Sequence, residues 1–171
     1  MANFISFIRM FLLVPVGILL YNDLYTAALW TFIAAALTDW LDGFVARKTN
    51  TVTETGKVID QIADKVLITS TMIFLVDLKE LPAWLVVAVV WRDTMVSATR
   101  ILAAKTGHII AANIFGKIKT VSQIALLILI LAKDIIPVYE PIKVLFIWIV
   151  FAFTVLSGGI YIYQNRKVFT L

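Results

Sequence analysis

Apolar runs of roughly 16–25 residues, each long enough to cross a bilayer as a helix, alternate with short polar stretches along the whole chain. They predict six spans, at about 7–22, 24–46, 56–76, 82–104, 114–135 and 141–164. The first carries Pro15 and Gly17 in its interior. Short connections join the spans: 21–23, 77–82 and 133–141 on one side, 48–55 and 105–113 on the other. The expected fold is an all-α, polytopic membrane protein with six transmembrane helices. The length of 171 residues suits a single membrane domain over 1–171.

Composition agrees with the pattern. Hydrophobic residues make up 61% of the chain, above the roughly 45–50% of soluble domains. With no cysteine and one histidine, His108, thiol and multi-histidine metal sites are excluded. A cleavable leader is not expected, because Tyr21, Asn22 and Asp23 follow the first apolar run where small residues would be needed. The formal charge of +4 points to anionic lipid or phosphate and not to nucleic acid.

The placement of lysine and arginine orients the spans. One side carries Lys79, Lys133 and Lys143; the other carries eleven, including Arg9, Arg47, Lys48, Arg100, Lys117, Lys119 and Arg166. The positive-inside tendency makes the richer side cytoplasmic, with both termini there. The expected location is the cell (plasma) membrane, multi-pass, with the site facing the cytoplasm. Tyr21, Tyr25, Trp84 and Tyr139 then fall at the outer interface as anchors.

One polar feature breaks the apolar background. Asp39, Asp42, Asp60 and Asp64 are four of only eleven acidic residues, and they close the second span and open the third. An ionised aspartate at the bilayer centre costs about 2.5–3.5 kcal/mol, so four left uncompensated would cost on the order of 10 kcal/mol. Spacings of three and four put each pair on one helix face. Four hard oxygen ligands suit Mg²⁺ or Mn²⁺. Two such ions about 3.5–4 Å apart clamp the attacking and leaving oxygens of a phosphoryl-type displacement. Gly43, Ala46 and Gly56 leave room for a bulky nucleotide, and Arg47 offers a planar fork for phosphate oxygens.

The stretch D-W-L-D-G-F-V-A-R, eight further residues, then G-K-V-I-D-Q-I-A-D resembles the signature of the CDP-alcohol phosphotransferase family. Asp39, Asp42, Gly43, Ala46, Arg47, Gly56, Asp60 and Asp64 fill every signature position. The resemblance implies a six-helix homodimeric membrane enzyme that uses two divalent ions. Such an enzyme moves a substituted phosphate from a CDP-linked donor to an alcohol and releases CMP. It further implies that Asp39, Asp42 and Asp60 are metal ligands. Asp64 lies beside the second ion as general base, and Gly43, Ala46, Arg47 and Gly56 border the CDP moiety. Asn3, Ser6 and Arg9 resemble the family's N-x-x-T-x-x-R element, with serine for threonine, and are expected on the CDP side.

The acceptor must be read elsewhere. Arg92, Arg100, Lys105, Lys117 and Lys119 crowd the fourth and fifth spans and their connection. An acceptor that carries its own phosphate needs such cations. Within a span, Arg92 must face a cavity or pair with an acid such as Asp93. This segment is similar to the phosphatidylglycerophosphate-forming branch of the family. The likeness implies that Arg92, Arg100, Lys117 and Lys119 surround the phosphate of glycerol 3-phosphate, with CDP-diacylglycerol as donor and its tails in membrane lipid. A different acceptor, such as inositol phosphate or another polar alcohol, is the alternative within the family. A divalent-cation transporter is the alternative outside it, but spans two and three carry only scattered Thr and Ser beyond Asp39 and Asp64.

Overall fold

The computed structural model describes residues 2–48, 54–105, 114–137 and 140–166, with side chains described in 11–38, 65–103, 114–137 and 140–166. Among these residues the regular structure is six α-helices: α1 (Ala2–Tyr21), α2 (Tyr25–Lys48), α3 (Glu54–Asp77), α4 (Ala83–Lys105), α5 (Ile114–Leu131) and α6 (Glu140–Gln164). All but two of the helix ends lie within two residues of those read from the apolar runs. The start of α1 lies earlier, at Ala2, because no breaker separates the mixed Asn3–Arg9 stretch, with Phe4, Ile5, Phe7 and Ile8, from the apolar run. The end of α5 lies earlier, at Leu131, where the chain winds through turns in which Ile135 and Ile136 N–H both donate to Ala132 O at 2.9 Å. Pro137 follows, and a residue before proline is kept out of the helical region.

The backbone forms two compact units. Unit one, Met1–Glu80 with Ile128–Val138, holds α1, α2 and α3. Its α1 packs along both α2 and α3, and Val16, Leu20, Ala28, Phe32, Leu67, Met72 and Leu75 are buried. Gly17 allows the close approach of α1 to α3, since a Cβ there would stand 2.7 Å from Phe74 Cζ. At the adjoining end of the pair, the Tyr21 hydroxyl donates to Asp77 Oδ2 at 2.8 Å.

Sharp stops end α1 and α3. Leu24 N–H bonds Leu19 O at 2.9 Å and Asp23 N–H bonds Leu20 O at 3.1 Å, while Glu80 N–H bonds Leu75 O at 2.8 Å and Lys79 N–H bonds Val76 O at 3.0 Å. Both are Schellman caps, which require a left-handed residue. Here that residue is Asp23 (φ 57°) or Lys79 (φ 60°), where glycine is usual. Lys133, in the turn after α5, reaches Glu80 at 2.7 Å and lies 3.4 Å above the Tyr25 ring centroid. It thereby ties three segments of unit one together.

Unit two, Leu81–Leu127 with Tyr139–Leu171, holds α4, most of α5, and α6. Helix α4 packs on α6, and Leu85, Val89, Leu126, Ile147 and Val150 are buried. Trp84 meets Trp148 at 5.4 Å and Phe151 at 5.2 Å between ring centroids.

The outer surface is that of a protein bathed in lipid. Large apolar side chains such as Phe11, Ile18, Trp30, Val87, Trp91, Val121, Leu145 and Val155 are exposed along the helices. Among the described residues, α5 (mean hydropathy 1.8) and α6 (2.2) are long and apolar enough to cross a membrane, and Phe11–Tyr21 and Tyr25–Thr38 are shorter apolar helical stretches. The hydroxyls of Thr31, Thr38, Thr71, Thr99 and Thr154 each donate to the carbonyl four residues back. In hydrocarbon this satisfies a donor that water cannot reach.

Two stability changes follow. Lys79→Gly relieves a left-handed non-glycine residue that costs about 1–2 kcal/mol, so the thermal midpoint in detergent should rise; an unchanged or lower midpoint counts against the cap. Lys133→Ala should lower stability by about 1 kcal/mol, a modest value because solvent screens the pair. Burial pushes the Lys133 ammonium down, but its bonds to Glu80 and Tyr25 outweigh this and hold it above the ordinary lysine range. The folded state therefore keeps this proton more tightly than the unfolded chain. Its contribution is complete below lysine's usual range and is lost only as pH rises through the elevated value. Unfolding compared at neutral and strongly alkaline pH should show the wild-type advantage shrinking only at the alkaline end.

Candidate active site

The signature residues occupy the ends of two consecutive helices in unit one. Asp39, Asp42, Gly43, Ala46 and Arg47 belong to the last turns of α2, and Gly56, Asp60 and Asp64 to the first turns of α3. Asn3, Ser6 and Arg9 belong to the first turns of α1. The short turn between α1 and α2 makes them antiparallel neighbours, so the start of α1 and the end of α2 share one end of the unit. The side chains of Asn3, Ser6, Arg9, Asp39, Asp42, Gly43, Ala46, Arg47, Gly56, Asp60 and Asp64 lie outside the described residues. What is described is the ground beneath them. One or two turns further into each helix, Phe32 and Ala35 on α2 and Leu67, Ile68 and Met72 on α3 are buried and apolar. The polar end of unit one thus rests on a dry core.

The cations read from sequence fall in unit two, and they do not behave alike. Arg92 on α4 is buried, and its Nη1 donates to Asp93 Oδ1 at 3.0 Å. Lys119 on α5 is buried too, and its Nζ donates to both Asp93 oxygens at 2.8 and 2.7 Å. Asp93 thus joins α4 and α5, and these three side chains together carry a formal charge of +1. Removing Asp93 from such a buried group costs about 3–5 kcal/mol, because two cations are left without their shared partner. Lys117 lies two residues before Lys119, on another face of α5, and is exposed. Arg100 follows Arg92 by eight residues, about 12 Å along α4, and is half-buried.

Glycines make room for the Arg92 side chain. A Cβ at Gly158 on α6 would stand 3.0 Å from Arg92 Cγ, and one at Gly116 on α5 would stand 3.4 Å from Arg92 Nη2. Several buried polar atoms around this level have no hydrogen-bond partner: Arg92 Nε, Gln123 Nε2 and the Tyr161 hydroxyl. Asp93, Gln123 and Tyr161 were not among the site residues expected from sequence. A helical register holds the signal for two of them. Gln123 is four residues after Lys119, and Tyr161 is three after Gly158, so each continues a buried face.

Comparison with known proteins bears on both units. Residues 1–156 match the CDP-alcohol phosphatidyltransferase family. The chain is 42% identical over 138 residues to the CDP-diacylglycerol–glycerol-3-phosphate 3-phosphatidyltransferase of Bacillus subtilis, covering 78% of this chain and 70% of that protein. It is 33% identical to the Rickettsia typhi protein of the same name, covering 99% and 98%. A rice cardiolipin synthase (CMP-forming) is 36% identical, but over only 63% of this chain and 37% of its own length. The aspartate-bearing helix ends and the buried cations therefore lie within one matched region, and the chain belongs to the CDP-alcohol phosphatidyltransferase family.

Proposed function

We infer that this chain transfers the phosphatidyl group of CDP-diacylglycerol to glycerol 3-phosphate, giving phosphatidylglycerophosphate and CMP. The observation that carries this reading is likeness across nearly the whole chain to proteins named for that reaction. The buried, positively charged cluster of unit two supports it, because it suits an acceptor that carries a phosphomonoester. The likeness to a cardiolipin synthase gives a second reading, with a lipid acceptor, over a shorter stretch.

The donor end of unit one would bind the CDP moiety. Gly43, Ala46 and Gly56 lack bulk where the nucleotide must approach backbone, and Arg47, with Asn3, Ser6 and Arg9, supplies polar and cationic partners for it. Asp39, Asp42, Asp60 and Asp64 would hold Mg²⁺ or Mn²⁺. An all-carboxylate set with no cysteine and no second histidine in the chain fits a hard divalent ion and not zinc. Such ions supply charge compensation for a pyrophosphate. Asp64 is the general base: it takes the proton from the primary hydroxyl of the acceptor. That oxygen then bonds to the lipid-side phosphorus while the bond to the CMP oxygen breaks. Arg92, Arg100, Lys117 and Lys119 are the candidates for the acceptor phosphate.

The chain works as a membrane domain over 1–171, with six spans, both termini and the site on the cytoplasmic side of the cell membrane, and a homodimeric assembly. The eleven-to-three division of cations between the two sides supports that orientation.

Purified protein given CDP-diacylglycerol, Mg²⁺ and a panel of acceptors should release CMP with glycerol 3-phosphate. Release only with phosphatidylglycerol or inositol phosphate would reassign the acceptor, and divalent-cation flux in liposomes without CMP would replace the enzyme reading. Asp64→Asn should lower turnover about 10²–10⁴-fold, the usual contribution of a general base, while CDP-diacylglycerol binding largely survives. Near-normal turnover in that variant removes Asp64 from the role.

A further inference from the structure

Arg92 is held by one nitrogen only. Nη1 donates to Asp93 Oδ1 at 3.0 Å, and Asp93 is in turn gripped by Lys119 through both carboxylate oxygens at 2.8 and 2.7 Å. The opposite edge of the guanidinium, Nε with Nη2, presents two parallel N–H bonds. That edge matches a phosphate or carboxylate in bidentate fashion. Nε is buried and bonds nothing. Nη2 faces the bare backbone of Gly116, where a methyl group would stand 3.4 Å away. Side-chain exposures of 10% for Arg92, 12% for Asp93 and 4% for Lys119 set the whole cluster away from solvent. The buried Nε is unfavourable without an acceptor, and an anion bonded to Nε and the neighbouring Nη2 would satisfy it.

We propose that Asp93 is a positioning residue for the acceptor phosphate: anchored by Lys119, it holds Nη1 of Arg92 and so aims the Nε–Nη2 edge into the notch at Gly116. The inference rests on the acceptor reading above and divides its cations by task. Arg92 grips the phosphate, and Lys119 neutralises and orients Asp93. With Asp93 in place Nη1 of Arg92 is occupied and one donor edge is left, so Arg92 takes a single oxyanion in a single orientation. Without Asp93, two adjacent cations would attract any phosphate and fix none.

The test uses the full chain with steady-state CMP release, and inorganic phosphate as a binding probe. Asp93→Asn should raise the KM for glycerol 3-phosphate by about tenfold, the scale of one lost charge-assisted hydrogen bond, with the KM for CDP-diacylglycerol little changed. Asp93→Glu should recover most of that loss, which a merely structural role would not require. Gly116→Ala keeps all three charges and favours the helix, so it remains informative if Asp93→Asn fails to fold. Its methyl covers Nη2, and both the KM for glycerol 3-phosphate and the inhibition constant of inorganic phosphate should rise together. An unchanged acceptor KM in Gly116→Ala overturns the proposal, as does an Asp93→Asn variant that loses turnover with both KM values intact. If the wild-type chain releases no CMP with glycerol 3-phosphate, the acceptor reading fails separately. Direct binding of inorganic phosphate then decides the donor edge: weaker binding in Gly116→Ala supports it, and equal binding refutes it.

Discussion

Charge in an apolar medium is the constraint on which this protein is built. Along the described parts of the helices, a surface rich in exposed Phe, Ile, Leu, Val and Trp gives a buried ion little solvation. Every ionisable group there must be neutralised by a neighbour or by a ligand. Asp93 shows the first solution, with two cations on one carboxylate. The threonine hydroxyls obey the same rule on a smaller scale by bonding the carbonyls of their own helices.

The two units divide the chemistry by charge. Unit one carries the acidic signature, and unit two carries the buried basic cluster. Each charge type stands on helices whose deeper turns are apolar, such as Leu67 and Met72 below Asp64, or Leu85 and Val89 before Arg92. A dry support raises the strength of every electrostatic interaction above it. It also explains why so few polar residues are needed: the environment amplifies each one.

Much of this was legible in the sequence because membrane helices follow simple rules. Length and apolarity located the helices, and fixed spacing in a helical register grouped Asp39 with Asp42 and Asp60 with Asp64. Local backbone chemistry was less legible. The α5 stop at Leu131 depends on the turn around Ala132, and the early start of α1 falls where Asn3, Ser6 and Arg9 interrupt the apolar run. The cation cluster was legible only in part. Arg92 next to Asp93 invites a pair, but the tie from Asp93 to Lys119 spans 26 residues of sequence and exists only through tertiary packing. Helical register separates Lys119 from Lys117, whereas adjacency in the sequence joins them. The polar atoms left without partners at Gln123 and Tyr161 are properties of packing and have no trace in composition.

The left-handed caps at Asp23 and Lys79 bear on membrane thickness. They halt α1 and α3 abruptly at one end of unit one, so these helices cannot lengthen there. Yet α2 and α3 have 24 residues each, or about 36 Å, against a hydrocarbon layer of about 30 Å. Because the apolar stretch of α2 is only Tyr25–Thr38, any length outside the hydrocarbon would be the polar end opposite the caps, where Asp42, Arg47 and Gly56 lie. Hydrophobic mismatch would then act as a vertical adjustment: a thicker bilayer draws the carboxylates toward hydrocarbon, and a thinner one lifts them into the headgroup layer. The lipid composition of the host membrane would thereby tune the protein's access to a water-soluble substrate.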